Sequence, residues 1–309
     1  MKQYLNLCEK ILTNGVWKGP ARPGMPRTKS INSEIMKFDL CEGFPLLTTK
    51  KMFTKGIFVE TLWMLSGSTN IHYLLKNNVH IWDGDGYKFF KKRFPTINWS
   101  KEQWIKHCTA NEDEAGHMGN IYGYQWRHRD GIDQLKNVIE QIKKNPNSRY
   151  HIVEAWNPKD VVESKGALPP CHKQMQFFVR NVNGDNYLDL TFYCRSQDIP
   201  LGTPFNIAMY ALILHLISLA VGMWPGTLTW IGGDIHIYEN QIEAIKEQLQ
   251  RTPKYLPQFL IPDEIEVEKY WDGDTFDLNG YLSQFSYDTF EIRDYDPYPA
   301  IKIPLSVGI

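Results

Sequence analysis

Ala167-Leu-Pro-Pro-Cys171-His172-Lys-Gln-Met-Gln-Phe-Phe-Val179 sets a cysteine directly after a Pro-Pro pair and directly before an apolar, strand-like run. Proline fixes φ and drives the residue before it to extended geometry, so Pro169-Pro170 holds Cys171 at a defined place where a strand begins. Working outward, residues 177–182 and 187–194 flank the turn-forming tract Asn183-Gly184-Asp185 and are expected to pair as a hairpin. Beyond it, Cys194-Arg195-Ser196-Gln197-Asp198-Ile-Pro-Leu201-Gly202-Thr-Pro-Phe205-Asn206 is dense in donors and acceptors. Taken alone, a cysteine is more often a small buried hydrophobe than a nucleophile.

The chain has 309 residues, 42% of them hydrophobic, enough to bury a sizeable core. Its 34 basic and 35 acidic residues leave a net charge of -1, which excludes a broad electrostatic footprint for nucleic acid. Charges interrupt the apolar pattern of the N-terminus, so no signal peptide is expected and the compartment reads as cytoplasmic. Cys8, Cys41, Cys108, Cys171 and Cys194 are odd in number and irregular in spacing, which fits reduced thiols and neither a disulfide framework nor a metal site. The apolar run 207–221 is broken by His215 and Ser218, so it reads as too short for a membrane span and better as a buried helix.

In chain order, residues 2–14 place Tyr4, Leu5, Cys8, Ile11 and Leu12 on one helical face, and a Pro- and Gly-rich loop carrying Arg22 follows. A short strand is expected at 35–40, and a helix at 54–65 that carries Glu60 among apolar neighbours. Burial there would raise the pKa of Glu60 and suit it to proton transfer near neutral pH. Residues 84–118 read as a small accessory insertion with a short helix near 100–108, and the charge run Lys88-Phe-Phe-Lys-Lys-Arg93 as a solvated face. A helix at 131–144, strands at 150–156 and 228–237, and helices at 204–222 and 239–249 complete a single α+β domain spanning 1–309, without repeats or linkers.

The chain resembles the thymidylate synthase family nearly end to end. The matching stretches are the two quoted above together with Gly43-Phe-Pro-Leu-Leu-Thr-Thr-Lys50, Val79-His-Ile-Trp82-Asp83, Ile121-Tyr122-Gly-Tyr-Gln-Trp-Arg127, Ala155-Trp-Asn157, Gly232-Gly-Asp-Ile-His236-Ile-Tyr238 and Tyr295-Asp-Pro-Tyr-Pro299. The resemblance implies a mixed β-sheet packed by helices around a long central buried helix, with one sheet face forming a homodimer interface. It also implies conversion of dUMP to dTMP with 5,10-methylenetetrahydrofolate as co-substrate, and no metal. Cys171 is then the nucleophile that adds to C6 of the uracil, with Arg195 lowering its pKa, and Glu60, Tyr122, Asn206 and Asp198 complete the catalytic set. Arg22, Arg195, Ser196 and Gln197 would hold the substrate. Arg149 would reach the phosphate from the other subunit, Asn206 would read the base, and His236 and Tyr238 would bind the sugar hydroxyl. Trp82, Asp198, Leu201, Gly202, Phe205 and Gly308 would face the folate, with Lys50 and Lys51 on its anionic tail, and His172 would line the pocket.

Two positions depart from the family's pattern. Tyr150 stands where a second arginine usually follows Arg149, and Asp85 where a tryptophan usually packs on the folate ring. The C-terminal closure is also about two residues longer than in the simplest members. A deoxyuridylate hydroxymethylase, in which water rather than hydride meets the exocyclic methylene, is the alternative reading. An inactive nucleotide- or RNA-binding relative is disfavoured by the intact Cys171, Glu60, Asp198 and Asn206.

Overall fold

A computed structural model of the chain describes residues 1–306. In chain order its α-helices are α1 (Lys2–Asn14), α2 (Thr54–Leu65), α3 (His72–Lys76), α4 (Asp83–Arg93), α5 (Lys101–Ala110), α6 (Tyr122–Arg127), α7 (Gln134–Lys144), α8 (Pro158–Val162), α9 (Gly202–Val221), α10 (Ile242–Leu249) and α11 (Leu278–Leu282). The main sheet is built from β1 (Val16–Lys18), β2 (Thr28–Asp39), β3 (Ile152–Glu154), β4 (His172–Val182), β5 (Asp185–Asp198) and β6 (Trp224–Tyr238) in the order β1-β2-β6-β5-β4-β3. Every pairing is antiparallel except β5 with β6, so the sheet is mixed.

The hairpin of β4 and β5 turns through Asn183 and Gly184, whose φ angles of 56° and 100° give the left-handed pair that matches the twist of the strands. Along β5, Leu188, Leu190, Phe192 and Cys194 alternate onto the buried face, where α9 packs against β5 and β6. On the opposite face Ile35 and Phe178 are exposed.

Several boundaries differ from the sequence reading. Strand β2 begins at Thr28 rather than 35, because its first half carries Lys29, Asn32 and Glu34 and hides the alternation. The strand expected over 150–156 shrinks to β3, an edge strand paired only with β4. The charge run 88–93 belongs to α4, whose Phe89 and Phe90 are buried. Gly84 and Gly86 disguise its start, and a Cβ on Gly86 would meet Trp104 at 2.8 Å. Phe90, Trp104, Cys108 and Met118 join the same core as α9.

Helix α9 also corrects the length argument. It runs 20 residues and is long and apolar enough to cross a bilayer by composition alone, yet 78% of its most apolar window is buried inside the fold. His215 and Ser218 do not interrupt it, and the left-handed Gly222 ends it at φ 70°.

Candidate active site

Cys171 lies one residue before β4, and its main chain is tied on both sides. Its N–H donates to the Tyr122 hydroxyl at 2.8 Å, and its carbonyl accepts from the Arg195 N–H at 2.8 Å. The register that pairs His172 with Cys194 thus brings Arg195 alongside the thiol. The guanidinium donates to the carbonyls of Pro170 (2.7 Å) and Pro169 (3.0 Å), and one nitrogen reaches Cys171 Sγ at 3.8 Å. The two prolines therefore hold the cation as well as the thiol.

Arg195 pulls the pKa of the Cys171 thiol down, as expected, but it does not set the net direction. Burial pushes Cys171 up, and the pull of Arg195 and Arg22 does not offset it, while Asp85 pushes the same way as burial. Desolvating a thiolate outweighs two cations, one of them on the exposed loop.

Below the thiol, the His172 ring stacks on Tyr122 with centroids 4.0 Å apart, and its Nδ1 meets the Tyr210 hydroxyl at 2.8 Å. Burial drives His172 down to about 3, so the ring is neutral and serves as a fixed wall. Glu60 faces inward from α2 and is only 7% exposed; its carboxylate accepts from Trp82 Nε1 at 2.5 Å. Burial lifts it to about 7 against the opposing pull of that hydrogen bond, which gives a group able to both donate and accept a proton near neutrality.

The parallel register of β5 and β6 sets Asp198 beside His236, with Tyr238 two residues on along the same face. Asp198 accepts from Gln241 Nε2 at 3.2 Å and from the Leu201 N–H at 3.4 Å, and burial raises its pKa. His236 Nδ1 meets Asp234 Oδ1 at 3.2 Å; that bond, with Lys18 bound to the same carboxylate, holds Asp234 down to about 2. The Tyr238 phenol is pushed up to about 12, chiefly by burial, and lies within electrostatic reach of Asp198, Arg22 and Cys171. Gln197 is buried and accepts from Thr203 Oγ1 at 2.6 Å, which fixes the entry to α9. Ser196 is half-buried on the same strand.

Asn206 lies in the first turn of α9, half-buried, and its carboxamide makes no hydrogen bond among the described residues. Leu201, Gly202 and Phe205 are half-buried at the same corner. Asp85, in the first turn of α4, is raised by burial and lowered by Lys88 and Arg22, and its own field reaches Cys171. Arg149 and Tyr150 lie apart, exposed on the loop between α7 and β3.

Lys50 does not face a tail at the surface. It is 5% exposed, its ammonium donates to the Pro200 carbonyl at 2.5 Å, and burial lowers it to about 8; Lys51 is the exposed neighbour. Gly308 lies outside the described residues. Sequence reasoning missed Gln241, which holds Asp198, and Tyr210, which holds His172. It also missed Asp234, although Asp234 and His236 share a strand face by simple alternation. Among the described residues no cluster of His, Cys, Asp and Glu could hold a metal ion.

Residues 2–307 match the family model described as Thymidylate synthase. A curated protein named Thymidylate synthase from Listeria monocytogenes serotype 4b (strain CLIP80459) is 41% identical over 337 aligned residues, covering 99% of this chain and 100% of that protein. One of the same name from Mycoplasma pneumoniae (strain ATCC 29342 / M129 / Subtype 1) is 41% identical over 312 residues with the same coverage.

Proposed function

The chain belongs to the thymidylate synthase family, and from that premise we propose that its methyl transfer from 5,10-methylenetetrahydrofolate to dUMP, giving dTMP, runs through a covalent adduct of Cys171 with C6 of the uracil. The observation that carries the reading is the electrostatic reach that links Cys171 with Arg195, Arg22 and Tyr238, and Tyr238 with Asp198 and Arg22.

Uracil C5 is too electron-poor to attack a one-carbon donor until a nucleophile adds at C6 and leaves C5 enolate-like. The Cys171 thiol supplies that nucleophile and must first lose its proton. Arg195, held by the proline carbonyls, stabilises the thiolate. Electron density pushed onto O4 meets the free carboxamide of Asn206, which donates to O4 and accepts from N3–H. Glu60, poised near 7, moves protons at O4 and C5, and the Trp82 indole fixes its carboxyl in place. His236 and Tyr238 bind the sugar hydroxyl, and Arg22, Arg195 and Ser196 the phosphate. Trp82, Leu201 and Phe205 offer apolar surface, and Asp198 a buried acceptor, which fits a flat heteroaromatic carrier. That carrier supplies both the carbon and the hydride.

Arg149 completes the phosphate site across a homodimer, in this reading. Its exposed position away from Cys171 and the exposed Ile35 and Phe178 on the open sheet face support this. Cys171→Ser is expected to abolish turnover while dUMP still binds, and the mass of the wild-type product should be that of dTMP. Retention of more than a few per cent of activity rules out Cys171 as the nucleophile, and a product one oxygen heavier than dTMP rules out reduction of the methylene. Mixed Cys171→Ser and Arg149→Ala subunits should regain activity through one intact site, whereas an active monomer contradicts the shared site.

A further inference from the structure

His151 stands at the foot of the loop that carries Arg149 and takes no part in the chemistry above. The loop leaves α7 at Asn145, whose N–H bonds to the Gln141 carbonyl at 2.8 Å, and folds back through the Ser148 N–H to the Asn145 carbonyl at 3.0 Å. The Tyr150 N–H then donates to Ser148 Oγ at 3.2 Å, and the His151 carbonyl accepts from the Phe177 N–H of β4 at 2.9 Å. His151 is thereby pinned to the sheet by its backbone while the loop before it is held mainly by its own bonds.

The His151 side chain is 0% exposed, yet neither Nδ1 nor Nε2 has a hydrogen-bond partner. Burial lowers the proton affinity of the ring, and backbone hydrogen bonding with Pro146 and Asn145 raises it, so both residues lie within reach of the ring though short of the geometry of a full hydrogen bond. A buried polar group without its partner is costly, and such a group in a native protein calls for a physical reason. A small movement of the loop toward the sheet would supply the missing bond.

We propose that His151 is a positioning residue for Arg149: when Arg149 engages the substrate phosphate, the loop settles onto the buried imidazole and a loop carbonyl accepts from its N–H. This rests on the reading of Arg149 as a phosphate ligand. A bond that forms only as the substrate is engaged contributes wholly to substrate affinity. Leucine at 151 would fill the space and offer no donor; glutamine would keep one.

The test is steady-state kinetics of the His151→Leu and His151→Gln enzymes. His151→Leu should raise the KM for dUMP roughly tenfold and leave kcat and the KM for the folate within about twofold, and His151→Gln should recover most of the loss, as expected for one hydrogen bond made only in the complex. In an Arg149→Ala background His151→Leu should add nothing, because no cation remains to be positioned. If Arg149→Ala raises the KM for dUMP and His151→Leu does not, the proposal falls and the reading of Arg149 stands. If Arg149→Ala itself leaves that KM unchanged, the reading of Arg149 falls, and the proposal with it. Should His151→Leu fail to fold, the imidazole nitrogen shifts of the wild-type protein decide, assigned by their loss in His151→Gln. A shift of one His151 nitrogen to a hydrogen-bonded value on adding dUMP supports the proposal, and unchanged shifts overturn it.

Discussion

Replacing Glu60 by glutamine should make the protein more stable and less active at once, with a pH dependence that identifies the cause. Burial raises the Glu60 carboxyl from 4.5 to about 7, so between those values the folded protein binds a proton that the unfolded chain releases. Stability contributed by the neutral carboxyl is fully present below about pH 4.5 and is lost as pH rises through about 7. At about 1.4 kcal/mol per pH unit, the interval amounts to roughly 3 kcal/mol, an order-of-magnitude figure for a group only 7% exposed. Glutamine never ionises and keeps an acceptor for Trp82 Nε1, so Glu60→Gln should exceed wild type by about that amount at pH 8 and match it near pH 4.5. Urea denaturation of both proteins at fixed subunit concentration across this range measures the difference, and kcat measured alongside should fall because the amide cannot exchange a proton. A stability difference that is flat with pH refutes the assignment of the buried charge to Glu60.

Two further substitutions test the base pocket and the thiol. Asn206→Asp should shift the ratio of dUMP to dCMP turnover by at least about tenfold toward dCMP, since a protonated carboxyl can donate to N3 and accept from a 4-amino group; an unchanged ratio removes Asn206 as the base reader. Asp85→Asn removes a carboxylate that pushes the Cys171 thiol up, so the pH midpoint of alkylation by iodoacetamide should fall by up to about one unit. A midpoint that stays where it is in wild type means that the Asp85 charge does not reach the thiol.

The local features of this fold were legible because local chemistry determines them. Asn183-Gly184 could only turn one way, and α2 was bounded correctly at Thr54 and Leu65. The pairing of Cys171 with Arg195 followed from a hairpin whose turn was already visible. What stayed hidden depends on the rest of the molecule. Gly86 weakens the helical signal of α4 because a neighbour needs the room. The thiol pKa depends on how much chain closes over Cys171, a quantity that no spacing along the chain records. Lys50 turned inward because a carbonyl distant in sequence, that of Pro200, waits there. The Asp198 carboxyl was legible, whereas its holder Gln241 was not, because a glutamine in a helix-forming stretch gives no sign of what it will touch.

The apolarity of α9 has a consequence for how the chain is made. During synthesis Gly202–Val221 leaves the ribosome before Trp224–Tyr238, the strand that runs down the middle of the sheet and forms much of its cover. At roughly 5–20 residues per second, that strand takes on the order of one to three seconds to follow. For that interval the nascent chain displays a helix as greasy as a bilayer anchor, with β5, α2 and α7 already made but without the β6 face it also packs against. Substitutions that loosen the hairpin should therefore lower the yield of soluble protein more than they lower the stability of the finished fold.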